Sequence, residues 1–493
     1  MKKTILIFLF ISGLIGEEIV HPPHLQSRIR LFEAWLETLM DDQSLIGISV
    51  GVVHDQKIVY SKGFGYADLD NNILTDESIN FKIASITKLF TSIALMQLVE
   101  KERIDLNDPV INYVPAFKNI QTNGYDITDI TIKSILTHSA SLPVNADVFF
   151  DNNTVDTLAN STDNLLNGLS KQSLLFKPNR IQKYSNLGMN LGGVIIEKVS
   201  GLSYDQYIQR HILEPAKMTT SHFDHSAMEN SAVGYSRFTN RVRVGGKYQK
   251  MPEIIGLPSA GLVSNIIDLC SFMKWHFNVL NGDDESILSK QTLEEMQTIH
   301  RVPLPFELHP VFNGILSSLS DFFDVGGTGL GYFRNKKFTM HGGGLNGFGS
   351  ELIMDNENRI GIIVLSNTDG SPIYLDMDRS ITKNLYEIVG KAIIENNSQT
   401  VSGDFREYEN TFTNHYYHHY YFIELNQKLA LINLRDSFPL NNPAILTMLD
   451  KDFFVDQNHT GIYAGEFNLF FQRDENDKIN SLILGNEKLY LKN

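Results

Sequence analysis

The sequence predicts an α+β fold. It has an antiparallel sheet flanked by helices, a helical insertion between the early and late strands, and a small all-β domain at the end of the chain. Three observations lead there. Period-two hairpins occur early, at Ile46–Leu69, and late, at Gly349–Asn367. Between Ile104 and Ile299 the apolar spacing is helical or absent. Past Thr400, aromatic and polar residues alternate in short runs broken by turn residues.

Taken in order, Lys2 and Lys3 precede an apolar run from Ile5 to Ile15 and then Gly16. This has the form of a secretory signal over residues 1–16, too short to span a bilayer. No cysteine follows it, so a lipid anchor is not expected. Leu25, Ile29, Phe32, Leu36 and Leu39 recur at helical spacing. Ile46, Ile48, Val50 and Val52 alternate onto one face of a strand, and Ile58–Leu69 returns beside it. Phe81–Lys101 is apolar on nearly every side, which places that helix inside a domain. Thr131–Pro143 reads as a helix stopping in a Ser/Pro loop, Leu187–Ser200 as a Gly-rich packed helix, and Ile254–Asn281 as a turn and a long helix. Lys337–His341 is a late strand with His341-Gly-Gly-Gly344 at its end, and Leu375–Ile394 is the closing helix. Residues 25–396 form the main domain, and 400–493 a β-rich domain with barrel-like alternation.

The 493 residues, 42% of them hydrophobic, are ample for a large core. A net charge of −15 argues against nucleic acid and against an anionic membrane surface as partners. The single cysteine, Cys270, excludes an internal disulfide and reads as a buried structural thiol. Export without disulfides suggests a periplasmic or secreted bacterial protein. Asn152, Asn160, Asn396 and Asn458 fit the glycosylation acceptor pattern, a common chance match in an Asn-rich chain.

The chemistry concentrates at the head of the buried helix. Ser85 and Lys88 lie three residues apart and share a helical face. A desolvated lysine has a lowered pKa and can take a serine's proton. Ser-x-x-Lys also occurs at Ser271…Lys274 and Ser380…Lys383, but both fall inside helical patterns and read as solvated faces. Gly47-Ile-Ser-Val-Gly51 matches a hydrolase nucleophile elbow, yet Ser49 sits mid-strand with another strand following, where the elbow needs a helix. Tyr184-Ser-Asn186 precedes a packed helix; a phenolate there could act as a base, and an Asn amide could bridge lysine and substrate. The glycines after His341 permit close backbone approach, and a basic side chain at the rim suits a substrate carboxylate or a developing anion. His415, His418 and His419 would bind a metal only on a helix, and the segment reads as strand. Asp324–Phe333 is Gly-rich but fits neither a phosphate loop nor a dinucleotide fingerprint. No metal or cofactor is expected.

The order Ser85-x-x-Lys88, Tyr184-x-Asn186, His341-Gly-Gly343 resembles the penicillin-recognising serine hydrolases. These comprise class C β-lactamases, D-alanyl-D-alanine carboxypeptidases of the penicillin-binding type, and their esterase and aminopeptidase relatives. Ile135-Leu-Thr-His-Ser-Ala-Ser-Leu-Pro143, Ser259-Ala-Gly-Leu-Val-Ser264 and Gly329-Leu-Gly-Tyr332 look like further segments of that family. The resemblance implies Ser85 as acylated nucleophile, Lys88 as its base and Tyr184 as a second acid/base. It implies Asn186 as a contact of Lys88 and substrate, with Gly344 adding an oxyanion N–H beside that of Ser85. The third element usually reads Lys-Thr-Gly; His341-Gly342-Gly343 departs from it and, within the family, is more typical of peptidases and esterases. The implied substrates are β-lactams, peptidoglycan stem peptides or esters.

Overall fold

The computed structural model describes residues 23–145, 162–224, 230–236, 249–250, 258–301, 327–345, 347–375, 377–395, 405–414, 419–425, 427–441, 443–456, 468–484 and 487–492. The signal segment, the four glycosylation-pattern asparagines, His415 and His418 lie outside them.

Helix α1 (Pro23–Gln43) leads into β1 (Gly47–His54) and β2 (Lys57–Asp68), with β3 (Ile73–Leu74) at the sheet edge. The late strands are β4 (Gly327–Thr328), β5 (Phe333–Arg334), β6 (Phe338–Leu345), β7 (Phe348–Asp355) and β8 (Ile360–Ser366). Together they make one eight-stranded sheet in the order β3-β2-β1-β8-β7-β6-β5-β4. The early and late hairpins meet where β1 pairs antiparallel with β8, Val50 opposite Val364. Ile48, Val50 and Val52 share an apolar layer with Phe32, Trp35, Leu36 and Leu39 of α1, as their alternation predicts. Ile46 joins a separate small cluster with Val233 and Tyr235.

The other face of the sheet carries the inserted helices. Helix α2 (Thr87–Glu100) is buried from Thr87 to Leu98, at the centre of the largest apolar cluster. Each fully buried Leu, Ile or Phe contributes about 1.5–3 kcal/mol. That ring of contacts fixes the helix rigidly enough to hold polar groups at its head. Helix α3 covers only Ile132–Leu136, shorter than expected, because His138 and Ser141 turn to positive φ (54° and 62°) and end it. Helix α4 (Asn186–Ser200) packs on α2, and α5 (Ile266–Asn281) lies against β1.

Two boundaries differ from expectation. The closing helix begins at Ile381, where buried Ser380 caps it by accepting from Lys383 N at 3.1 Å, and a π-helical turn at Tyr386–Gly390 interrupts it. Ser380 is therefore a cap and not a solvated face. Strand β6 does not end at His341: Gly343 and Gly344 stay in register with Ser350 and Gly349 of β7.

The eight strands between Thr411 and Leu491 close into a barrel filled by Phe412, Phe422, Phe454, Phe471 and leucines. His419 opens a strand, His419–Leu425. The barrel docks on α1 and the closing helix. Tyr421, Ile423, Ile432 and Leu434 join the α1 layer. Buried Glu409 accepts from Ser27 Oγ at 2.9 Å and from Arg30, and Trp35 Nε1 donates to Asp436 O at 3.2 Å. Among the described residues no helix is long and apolar enough to cross a membrane.

Candidate active site

Ser85 stands on a single 3-10 turn, Ala84–Ile86, that feeds directly into α2. Two bonds anchor this turn: Ile83 N donates to Leu262 O at 3.1 Å, and Leu262 N donates to Thr87 Oγ1 at 3.0 Å. Ala84, just before the serine, holds φ at +48°, a left-handed conformation costly for alanine that tight packing maintains. The strain lies next to the expected nucleophile.

Lys88, in the first turn of α2, is completely buried. Its Nζ donates to Ser85 Oγ at 2.9 Å and to Ser259 O at 2.7 Å. Burial holds its pKa well below the ordinary lysine range. The lysine is thus poised as an uncharged amine against a serine hydroxyl. No hydrogen bond joins Asn186 to it among the described residues. The Asn186 amide nitrogen donates to Asn145 Oδ1 at 2.7 Å, while its Oδ1 is buried without a hydrogen-bond partner among the described residues. The carbonyl of Ser259 is the second acceptor of the Lys88 amine, beside Ser85 Oγ.

Tyr184 reaches the same point. Its hydroxyl lies close enough to that of Ser85 for the two to interact, and its ring centroid is 4.8 Å from Lys88 Nζ. Burial pushes its pKa above the usual phenol range, and the nearby Ser85 hydroxyl only partly opposes this. The resting group is a phenol and not a phenolate, since a low-dielectric setting disfavours its anion. Ser185 caps α4 by accepting from Gly188 N at 3.0 Å, which sets where the preceding tyrosine stands. His138 Nδ1 accepts the Ser185 N–H at 3.2 Å, and its ring lies 4.5 Å from that of Tyr184.

His341 is buried, not at a rim. Its Nδ1 bonds Gly342 O at 2.7 Å; a carbonyl only accepts, so Nδ1 carries the proton and Nε2 presents a lone pair. Burial first, and Lys88 second, lower its pKa to about 3. A neutral imidazole replaces the basic side chain expected to hold a carboxylate. Two residues on, Gly343 lies against the Ser85 turn. A Cβ there would fall 2.3 Å from Ile83 O and 3.0 Å from Ser85 N. Ser350 Oγ ties the two elements by donating to Ile83 O at 2.7 Å, and Tyr374 OH donates to Gly343 O at 2.7 Å. Gly344, next along, is exposed.

The other sequence candidates stand apart. Ser49 is buried mid-strand and bonds Asp76 O at 3.3 Å. Ser271 bonds Ile267 O within its own helix at 3.1 Å. Tyr408, of the second Tyr-x-Asn, bonds Asp452 in the barrel at 3.0 Å. The Cys270 thiol is buried, which pushes its pKa up to about 12. No cluster of three metal-ligating side chains occurs among the described residues.

The family model described as Beta-lactamase matches residues 32–384. The chain belongs to the beta-lactamase family. The match takes in Ser85, Lys88, Tyr184, Asn186 and the His341–Gly344 strand. Among curated relatives, Protein flp of Staphylococcus aureus (strain MW2) is 28% identical over 329 residues. That alignment covers 65% of this chain but only 59% of flp, so the chain spans about three-fifths of that relative's length. Among solved structures, the octameric penicillin-binding protein homologue from Pyrococcus abyssi is 25% identical. It superposes with a TM-score of 0.61 over 94% of this chain and 100% of its own. Family membership supports a serine hydrolase type of function and fits the observed sheet-and-helix fold.

Four neighbours of the site were not singled out by sequence as site residues. His138 and Ser259 lie within family-like segments, but nothing in those segments marks them as a ring beside the phenol and a lysine acceptor. Ser350 alternates along a strand like any inward residue. Tyr374 falls just before a segment read as helix, with no motif around it.

Proposed function

We propose that this protein is an exported serine hydrolase that works through an acyl-enzyme on Ser85. The observation that carries the reading is the 2.9 Å bond between Ser85 Oγ and the fully buried Lys88 amine. Ser85 Oγ attacks a carbonyl carbon and passes its proton to Lys88. The tetrahedral oxyanion is held by the N–H groups of Ser85 and Gly344. Tyr184 hands a proton to the departing nitrogen or oxygen as the bond to the carbonyl breaks. Water then attacks the Ser85 ester, gives one proton back through the same groups, and releases the acid and the free serine. Substrates are β-lactams, D-alanyl-type peptides or esters. Export, to a periplasm or the exterior, is supported by the basic and apolar pattern of residues 2–16.

Labelling with a fluorescent fluorophosphonate and a fluorescent penicillin tests this. The expected result is one covalent adduct on Ser85 that disappears in Ser85→Ala. Absence of an adduct, or one that survives in Ser85→Ala, refutes the reading.

A further inference from the structure

His138 brackets Tyr184. Its backbone carbonyl accepts from Lys183 N at 2.6 Å, and its Nδ1 accepts from Ser185 N at 3.2 Å. One residue thus takes the N–H groups on both sides of the tyrosine. Because Nδ1 accepts, the proton of this neutral ring sits on Nε2. The ring lies 4.5 Å from that of Tyr184, and Phe333 stacks beside both, 6.2 Å from His138 and 6.4 Å from Tyr184.

The bracket stands on a fixed frame. Gly331 N donates to Leu136 O at 3.2 Å, so the segments that carry Phe333 and His138 are bonded two residues before each ring. Ser139 N closes the turn by donating to Ser134 O at 2.8 Å. His138 is 2% exposed and holds φ at +54°, a left-handed backbone that a side chain resists and that these bonds maintain. The Ser185 side chain fixes where α4 begins. The His138 bond fixes a different thing: the peptide plane shared by the Tyr184 carbonyl and the Ser185 N–H, and with it the direction in which the phenol leaves the chain. The hydroxyl stands at the end of a long lever. A small turn of that plane carries it away from the departing atom, and an ångström there is costly in rate.

We propose that His138 is a positioning residue for leaving-group protonation: the bond from Ser185 N–H to its Nδ1 aims the Tyr184 hydroxyl at the departing atom. The proposal rests on the acyl-enzyme reading above. With an ester, the acyl C–O bond breaks and its electron pair goes to the alcohol oxygen. Tyr184 gives that oxygen a proton and regains one from Lys88, which had taken it from Ser85.

The test compares the ethyl and p-nitrophenyl esters of one acyl group. Ethanol needs a proton to depart, whereas p-nitrophenolate leaves without one, and kcat/KM reports the steps through acylation. In His138→Phe, which keeps a ring but no acceptor, kcat/KM for the ethyl ester is expected to fall by roughly tenfold or more relative to the p-nitrophenyl ester. His138→Asn, whose Oδ1 stands near the place of Nδ1 and which tolerates the left-handed backbone, keeps the wild-type ratio. In a Tyr184→Phe background, His138→Phe shifts the ratio no further. A wild-type ratio in folded His138→Phe overturns the proposal. So does an equal loss on both esters, a loss in His138→Asn that matches His138→Phe, or a further shift in the double variant. If His138→Phe does not fold, ring-nitrogen NMR of the wild-type protein at neutral pH decides: a bare Nδ1 coupled to the Ser185 N–H supports the proposal, and a protonated Nδ1 overturns it. A wild-type ratio in Tyr184→Phe removes the acid role of Tyr184 and this proposal with it, leaving acylation of Ser85 standing. Turnover that persists in Ser85→Ala defeats the acyl-enzyme reading itself and everything resting on it.

Discussion

Gly343 and Ser85 belong to a strand and a helix from opposite ends of the main domain, yet no methyl group fits between them. A Cβ on Gly343 would lie 3.0 Å from the Ser85 amide nitrogen and 2.4 Å from Ser350 Oγ, which itself holds Ile83 O. Two of these neighbours are backbone atoms of the serine's own turn, so neither can swing aside. Gly343→Ala is expected to destabilise the fold by about 1–3 kcal/mol. It should also slow fluorophosphonate labelling by at least about tenfold, because a shift of an ångström at the nucleophile is costly in rate. Thermal melts and labelling rates check both; labelling at the wild-type rate is the contrary result.

Lys88 must be uncharged to take the Ser85 proton. Its pKa is lowered by burial, so the acylation rate rises with pH through that lowered value and levels off above it. An inflection near the ordinary lysine value of about 10.4 would contradict this. Lys88→Arg keeps a fixed charge and is expected to lose about 100-fold or more in acylation rate. Stopped-flow labelling across pH measures both effects. Ser49→Ala, by contrast, leaves labelling intact.

Acid stability follows from the buried imidazole of His341. Folded, it stays neutral down to about pH 3; unfolded, it takes a proton near the ordinary value of about 6.5. Between those values the unfolded chain binds more protons, so stability falls as the pH drops through this window. His138 and His276 act in the same direction, both held neutral by burial. His341→Gln is expected to lose less Tm than the wild type between pH 7 and pH 4. Parallel Tm curves for the two proteins would refute this.

Glu409 joins the barrel to α1 through Ser27 and Arg30. Removing its charge in Glu409→Gln weakens bonds worth about 1–3 kcal/mol. The expected outcome is a lower midpoint in urea with an unchanged rate of Ser85 labelling. A loss of labelling in the folded variant would tie the barrel to the chemistry.

The sheet, the buried helix and the barrel were legible because each rests on a periodic apolar pattern: Ile48, Val50 and Val52 on one face, Leu89 to Leu98 all round, and alternating aromatics after Thr411. The helix head was legible because the apolar run from Leu89 to Leu98 follows Ser85 and Lys88 directly, whereas the same spacing at Ser271 and Ser380 falls inside amphipathic patterns. Less was visible where long-range packing decides. Nothing local shows that Ser259 O would bond Lys88, or that Tyr374 would lie on Gly342. The charge of His341 was also out of reach, since it depends on how completely Phe333 and its other neighbours bury the ring. The short helix at Ile132 ended early because two residues accepted left-handed geometry, a tertiary demand that side-chain spacing does not encode.

The barrel belongs to the apolar layer around α1, and Ser85 to the helices across the sheet. A ligand on the barrel's outer wall and a substrate in the cleft therefore do not compete for space. Titrating one leaves the other's KM unaltered unless the strands between them relay a change.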